Sequence, residues 1–394
     1  MMQGSRMSTG ERWRLGHRPA LDGLRGIAVL LVLAGHSTER LIHSPTIAGD
    51  TFGVGLFFVL SGFLITTLLL EERERDGRVS FGRFYARRAG RLLPALALML
   101  AFMTGVGFAD PKPITAVALY VANFYQTATM DETLGFTWSL SVEEQFYLAW
   151  PVLLLGALRW GLRREWMAVV AVAGAALSVV ARDITDDGTI MGEFAAGRLP
   201  WTNADGLLLG AALACIMPLL PRRRPRPGLA LLLVVALAAP CFLFKATDGM
   251  IAPTLAAFGG VVAVWLAARG AGTAGVLGAR PLTLLGQRSY ALYLWHVPMF
   301  LTLDMAGLGT RGVVLGGLIL TWVLSALSWR FVEQPAQTWV RSRFRQRADS
   351  TAAATAEADT SAATAPRRNH PTWGKPADAE ASPARHTEPG TAGA

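Results

Sequence analysis

Apolar stretches recur along this chain at close to the length of a bilayer crossing. They fall at about 20–37, 52–71, 90–108, 138–158, 166–181, 201–220, 229–244, 251–268, 282–303 and 312–331. A helix needs about 20 apolar residues to traverse hydrocarbon, and a spanning segment must satisfy its own backbone hydrogen bonds. Hydrophobic residues make up 52% of the 394 positions and charged residues only 16%, which excludes an ordinary soluble domain. The expectation is an all-α integral membrane protein of about ten transmembrane helices.

The arginines set the orientation. With the N-terminus inside, one set of loops carries Arg73, Arg75, Arg78, Arg83, Arg87 and Arg88, then Arg159, Arg163 and Arg164, then Arg222, Arg223, Arg224 and Arg226, then Arg269 and Arg280. The opposite loops hold only Arg40, Lys112, Arg182, Arg198, Lys245 and Arg311. This asymmetry places both termini in the cytoplasm and the 182–200 loop outside. The count holds if 113–126 is a re-entrant or interfacial helix on the outer side. Residues 1–19 read as a basic cytoplasmic segment, 20–333 as the membrane domain, and 334–394 as a cytoplasmic tail. From about residue 348 the tail lacks the apolar content to order itself. The first span is preceded by basic residues like a signal sequence, but its length and Arg25 read as an uncleaved span. The net charge of +9 is scattered among membrane loops, so no basic domain exists to bind nucleic acid. Cys215 and Cys241 fall in separate apolar stretches and read as core residues, not a disulfide.

Against this background the ionisable groups within the spans stand out, because such groups are expensive and usually face a bundle interior or a wet cavity. Arg25 and His36 are eleven residues apart. That is about three helical turns, so both project from one face, ~16–17 Å apart along the axis. Asp22, three residues before Arg25, joins the same stripe; Asp22 and Arg25 also read as end-of-helix anchors that snorkel to the interface. His36 is a candidate general base or acyl carrier, against the plainer reading of a core histidine bonded to a backbone carbonyl.

Three further stretches carry chemistry. Trp138 to Tyr147 opens the fourth span and contains Glu143 and Glu144. Adjacent helical residues point about 100° apart, so one carboxylate, or Ser139 or Ser141, can cap the helix while the other carboxylate faces the bundle and orients His36. Phe84 to Pro94 carries Arg87, Arg88 and Arg91 at the cytoplasmic entrance of the third span. Helical spacing clusters these guanidinium forks, with Arg83, into an anion site suited to phosphates, or into an ordinary positive-inside anchor. Ser289 to Pro298 in the ninth span places Ser289 and His296 on one face, with Tyr293 close by; an aromatic packing belt is the alternative. No metal-ligand spacing, phosphate-binding loop or dinucleotide fingerprint is present.

Together these stretches resemble the membrane-bound acyltransferase 3 family, over about residues 18–333. Arg25 and His36 match its Arg-x(10)-His pattern, and Arg88 and Arg91 its Arg-x-x-Arg pattern. Phe52 to Leu64, which holds Ser61, also looks like a typical family stretch, as do Trp138 to Tyr147 and Ser289 to His296. The resemblance implies ten or so helices, acyl-coenzyme A taken from the cytoplasm as donor, and transfer to a hydroxyl, commonly of a sugar. Some members carry an extra extracytoplasmic hydrolase-like domain; the 394 residues here contain none, so the expectation is that transfer is completed within the membrane domain or handed on.

The combined reading is a multi-pass plasma-membrane O-acyltransferase with no bound cofactor. Its partners would be acyl-CoA, acetyl-CoA first among them, a carbohydrate or small-molecule hydroxyl, and membrane lipid. Arg87, Arg88, Arg91 and Arg25 would hold the donor. His36 would act as base, with Arg25, Glu143 and Glu144 in catalytic support. Asp22, Ser61, Tyr147, Tyr293 and His296 would line the pocket. The rival is a transporter or flippase for a glycan or lipid-linked intermediate. It too needs intramembrane charges, but predicts inverted repeats that this sequence lacks.

Overall fold

The computed structural model describes residues 14–42, 49–108, 110–220, 251–270 and 274–344, with isolated positions 228, 235 and 346. Apart from those isolated positions, the predicted span at 229–244, Cys241, the first 13 residues and the tail beyond residue 344 lie outside the described residues. Contacts divide the chain at Ser342, and the second unit, Arg343–Ala394, is almost wholly outside that description.

Every regular element among the described residues is helical. In chain order these are α1 (Pro19–Ile42), α2 (Gly49–Asp76), α3 (Phe81–Gly105), the short α4 (Pro111–Ala118) and α5 (Ala122–Thr129), and α6 (Trp138–Arg159). Then follow α7 (Arg164–Thr185), α8 (Ile190–Ala196), α9 (Asp205–Ile216), α10 (Ile251–Arg269), α11 (Ala274–Leu277), α12 (Arg280–Gln287), α13 (Ser289–Met305) and α14 (Thr310–Ser328). A single π turn, Trp329–Glu333, leads from α14 into helical residues 334–344. Five described segments are long and apolar enough to cross a membrane: Pro19–Leu41, Gly49–Asp76, Arg164–Thr185, Ile251–Arg269 and Thr310–Phe344.

Local chemistry explains several boundaries. Pro19 opens α1, where its missing N–H costs no helical bond. Ser80 caps α3 by accepting from Arg83 N at 3.4 Å, and Asp110 caps α4 ahead of Pro111 by accepting from Lys112 N. The 113–126 stretch folds as two helices of eight residues each, α4 and α5, joined by a turn at Tyr120 with φ 55°. At ~1.5 Å per residue neither can cross a bilayer.

Three boundaries differ from the sequence reading. The third span was expected from about residue 90, but α3 starts at Phe81, because the Ser80 cap lets the arginine-rich segment wind as its first three turns. The stretch 201–220 gives only the twelve-residue α9. The stretch 282–303 breaks at Arg288 into α12 and α13, so Arg288 sits at a helix junction instead of within one continuous span.

The helices pack closely because small residues meet backbone at the crossings. A Cβ on Gly62 of α2 would lie 1.8 Å from Leu207 O of α9, and one on Gly210 would lie 2.1 Å from Val59 O. Only glycine fits such a crossing. One buried cluster joins α1, α3 and α13 through Val29, Val32, Met99, Leu294 and Trp295. A second joins α1, α2, α9 and α10 through Ala28, Leu60, Phe63 and Val264. Cys215 is buried in a third, among Trp150, Leu154 and Ala211. These cores hold α1 between α2 and α13, so its polar face looks onto the space those helices enclose.

Candidate active site

Three cavities lie along that polar face, and each shares wall residues with the next. The first, about 290 Å³, is lined by His17, Arg18, Asp22, Arg25, Arg91 and Trp329 among others. The second, about 190 Å³, is also lined by Arg25 and Arg91, and adds Arg88, Glu143, Glu144, Tyr147, Ser289 and Tyr290. The third, about 240 Å³, contains His36, Asp50, Trp138, Arg182 and Asp205. Val54, Phe58 and Tyr293 form the wall between the second and third. Arg25 therefore faces the first two spaces and His36 the last, in keeping with their eleven-residue separation on one helix face.

Arg25 is half-buried. Its Nε donates to Ser289 Oγ at 3.4 Å and its guanidinium lies 6.0 Å from the Phe57 ring centroid. These contacts leave most of its fork for the cavities. Asp22 lines the first cavity and forms no ion pair with Arg25 among the described residues; the two share a stripe without pairing. Arg91 lines both spaces and has no carboxylate partner among the described residues.

Arg88 behaves differently from the sequence expectation. It was assigned to donor phosphates, but its Nε donates to both oxygens of Glu144, at 2.9 and 3.0 Å, and its Nη2 pairs with Glu144 as well. Its guanidinium carbon also stacks 3.1 Å from the Tyr147 ring centroid. A guanidinium forked onto a carboxylate in this way is already engaged. Arg87 lies 3.6 Å from Glu72, which Arg83 also engages at 2.6 Å. The longer α3 explains both, since its second turn lies against α6 and the end of α2.

The two glutamates likewise sit elsewhere than expected. Both line the second cavity and neither lines the His36 cavity. Glu143 Oε1 accepts from Tyr147 Oη at 2.7 Å and from Ser61 Oγ, while Glu144 holds Arg88. The serines do not cap α6 either. Ser139 Oγ pairs with Tyr293 Oη at 2.6 Å and Ser141 Oγ donates to Thr137 O. The preceding 3₁₀ turn, Gly135–Thr137, starts the helix without a side-chain cap.

His36 is half-buried, and its Nδ1 lies 3.1 Å from Val32 O. With the proton on Nδ1 donated to that carbonyl, Nε2 keeps the lone pair a general base needs. Its ring centroid is 5.0 Å from that of the fully buried His296, whose Nδ1 faces Tyr293 O. Ser289 and His296 thus follow α1 upward, one beside Arg25 and the other beside His36. Tyr293 Oη, held by Ser139 and by Phe136 O at 2.8 Å, stands between the second and third cavities.

One constellation was missed from sequence. Arg182, read as an outer-loop residue, ends α7 with its side chain 2% exposed. It donates to Asp205 at 2.8 Å, Thr202 O at 2.8 Å and Thr254 Oγ1 at 3.1 Å. Asp205 opens α9 and lines the His36 cavity. Its only signal in the sequence was a carboxylate at the start of an apolar stretch, with no spacing rule to link it to Arg182. Among the described residues no cluster of three or more His, Cys, Asp or Glu could hold a metal.

The profile of an acyltransferase domain family matches residues 18–330. The chain belongs to that family. It is similar to the peptidoglycan O-acetyltransferase OatA of Listeria monocytogenes, 31% identical over 363 residues, covering 84% of this chain and 57% of the relative. It is 29% identical to the O-acetyltransferase OatA of Staphylococcus aureus over 351 residues, covering 80% of this chain and 57% of that protein. The chain thus spans just over half the length of these relatives. No solved structure matches.

Proposed function

We propose that the chain is a multi-pass plasma-membrane enzyme moving an acyl group, acetyl first among the candidates, from cytoplasmic acyl-CoA to a hydroxyl of a sugar, surface glycan or glycosylated small molecule. The observation that carries this reading is the run of three cavities with shared walls, cationic at one end and holding His36 at the other. Arg25 and Arg91, with Arg18 and His17, make the first cavity suited to the donor's phosphates; guanidinium forks bind such groups through directed, charge-assisted hydrogen bonds. Because Glu144 already occupies Arg88, the donor contact assigned to the Arg-x-x-Arg pair falls to Arg91. The thioester arm would thread the second cavity, where Glu143, Tyr147 and Tyr290 offer partners for its amides, and reach His36 past Tyr293.

The chemistry balances with this chain's own residues. His36 Nε2 takes the proton of the acceptor hydroxyl as its oxygen attacks the thioester carbonyl. The carbon–oxygen bond forms, the carbon–sulfur bond breaks, and the imidazolium returns its proton to the departing thiolate. The names of the relatives make a cell-wall glycan the first acceptor to try.

The test is His36→Ala in purified protein, assayed by release of coenzyme A thiol from acetyl-CoA. Loss of a positioned general base lowers turnover by about 10²-fold or more, with insertion and detergent stability kept. Undiminished turnover would return His36 to a packing role.

A further inference from the structure

The wall of the third cavity carries more information than the presence of His36. Two carboxylates face it, Asp50 at the start of α2 and Asp205 at the start of α9. Their electrostatic situations differ. Asp205 is neutralised by Arg182, which is itself held by a carbonyl and a hydroxyl, so this nearly buried pair is a dipole with no net charge. Asp50 is half-buried and forms no ion pair or hydrogen bond among the described residues. Its position follows from a glycine: a Cβ on Gly35 would fall 2.7 Å from Asp50 N and 2.9 Å from Asp50 Cβ. Glycine at 35 therefore lets α2 begin directly against the turn of α1 that presents His36.

Among the described residues, the other charged group near this space, Arg40, has partners of its own. Arg40 lies 3.9 Å from Asp304 and 5.6 Å from the Phe300 ring. His296 is buried behind His36 and does not line the cavity. With His36 neutral, as a base must be before it takes a proton, the described cavity carries one uncompensated negative charge, on Asp50. Trp138 and Phe58, packed edge to face at 6.1 Å, add aromatic surface to the same wall. Carboxylate and aromatic surface together suit a polyhydroxylated ring, whose hydroxyls donate to the carboxylate and whose C–H face lies on the aromatic. A fixed anion in a partly desolvated space also repels an acidic acceptor, since like charges brought together there cost far more than in water.

We infer that Asp50 is a specificity-determining residue of the acceptor site, selecting a neutral or amine-bearing sugar and rejecting an acidic one. This rests on the proposed acyl transfer at His36 and adds the charge of the acceptor to it. Selection here includes repulsion of the wrong partner as well as attraction of the right one.

The experiment uses the full chain in nanodiscs with acetyl-CoA and three methyl glycosides, of N-acetylglucosamine, glucosamine and glucuronic acid. Coenzyme A thiol release stimulated by each gives kcat/KM. The wild type should favour the neutral and amino sugars over the acidic one. Asp50→Asn should raise the acidic-to-neutral ratio of kcat/KM by about tenfold or more, whatever its absolute rate. Asp50→Glu, which restores the charge, should return the ratio toward wild type, and a monodisperse elution profile shows that each variant is folded. A ratio unmoved by Asp50→Asn would overturn the inference, as would a wild type that prefers the glucuronide. His36→Ala separates the two levels of the argument. If thiol release depends on His36 but no glycoside stimulates it, the acceptor inference fails and the acyl-transfer reading stands. If release ignores His36, the acyl-transfer reading itself fails.

Discussion

At the scale of single residues, the proposed function divides the arginines of α3 between structure and substrate. Arg88 is forked onto Glu144 and stacked on Tyr147, whereas Arg91, one turn further along α3, faces two cavities without a carboxylate partner among the described residues. The consequences of replacing them should therefore be opposite. Arg88→Gln leaves Glu144 uncompensated and should cost about 1.5–3 kcal/mol, the worth of a charge-assisted contact in a partly accessible site. The double change Arg88→Gln with Glu144→Gln removes the stranded charge and should recover part of that loss, read as the melting temperature in detergent. Arg91→Gln should leave the melting temperature near wild type and raise the apparent KM for acetyl-CoA about tenfold, with a smaller change in kcat. An unchanged donor KM would mean that the phosphates bind elsewhere.

The part of the site legible in sequence was the part that one helix determines alone. Arg25 and His36 share a face because eleven residues make three turns, and both line the cavity run. The pairs Arg88–Glu144, Glu143–Ser61 and Arg182–Asp205 join residues 56, 82 and 23 positions apart. They depend on how neighbouring helices are rotated and staggered, which no periodicity encodes. Glu143 and Glu144 line the second cavity and not that of His36 for that reason: equal depth in a membrane does not fix which way a side chain faces. The carboxylates that do line the His36 cavity, Asp50 and Asp205, lie at helix starts, and no sequence spacing links either to His36.

At the scale of elements, the close crossings position the cavities. The α2–α9 crossing is set by Gly62 and Gly210, and that of α1 with α12 by Gly286, where a Cβ would lie 1.7 Å from Asp22 O. Asp22 lines the first cavity, so this crossing shapes the cavity directly. Gly62→Ala must push α2 from α9 and should destabilise by about 1–3 kcal/mol, the usual cost of overpacking. Gly156→Ala is the control. It is helical and has nothing within 4 Å of its added Cβ, so it should be neutral or stabilising by up to ~1 kcal/mol. Equal effects at the two sites, measured by thermal unfolding in detergent, would contradict the packing account.

At the scale of the whole molecule, the claim is that donor and acceptor meet from opposite faces. The arginine asymmetry of the loops is the basis of the proposed orientation. With the native cysteines replaced, Ile190→Cys should react with an impermeant maleimide in intact cells, and Ser350→Cys only after lysis. Labelling of both in intact cells would refute the assigned topology.

Orientation alone does not show that the acyl group passes along the cavities. Proteoliposomes with the Arg25–Arg91 end facing outward, loaded with a methyl glycoside acceptor and given radiolabelled acetyl-CoA outside, test that directly. The account predicts acyl ester accumulating inside the vesicles, dependent on His36, with coenzyme A released outside. Ester formed only when donor and acceptor are supplied on the same side would contradict it.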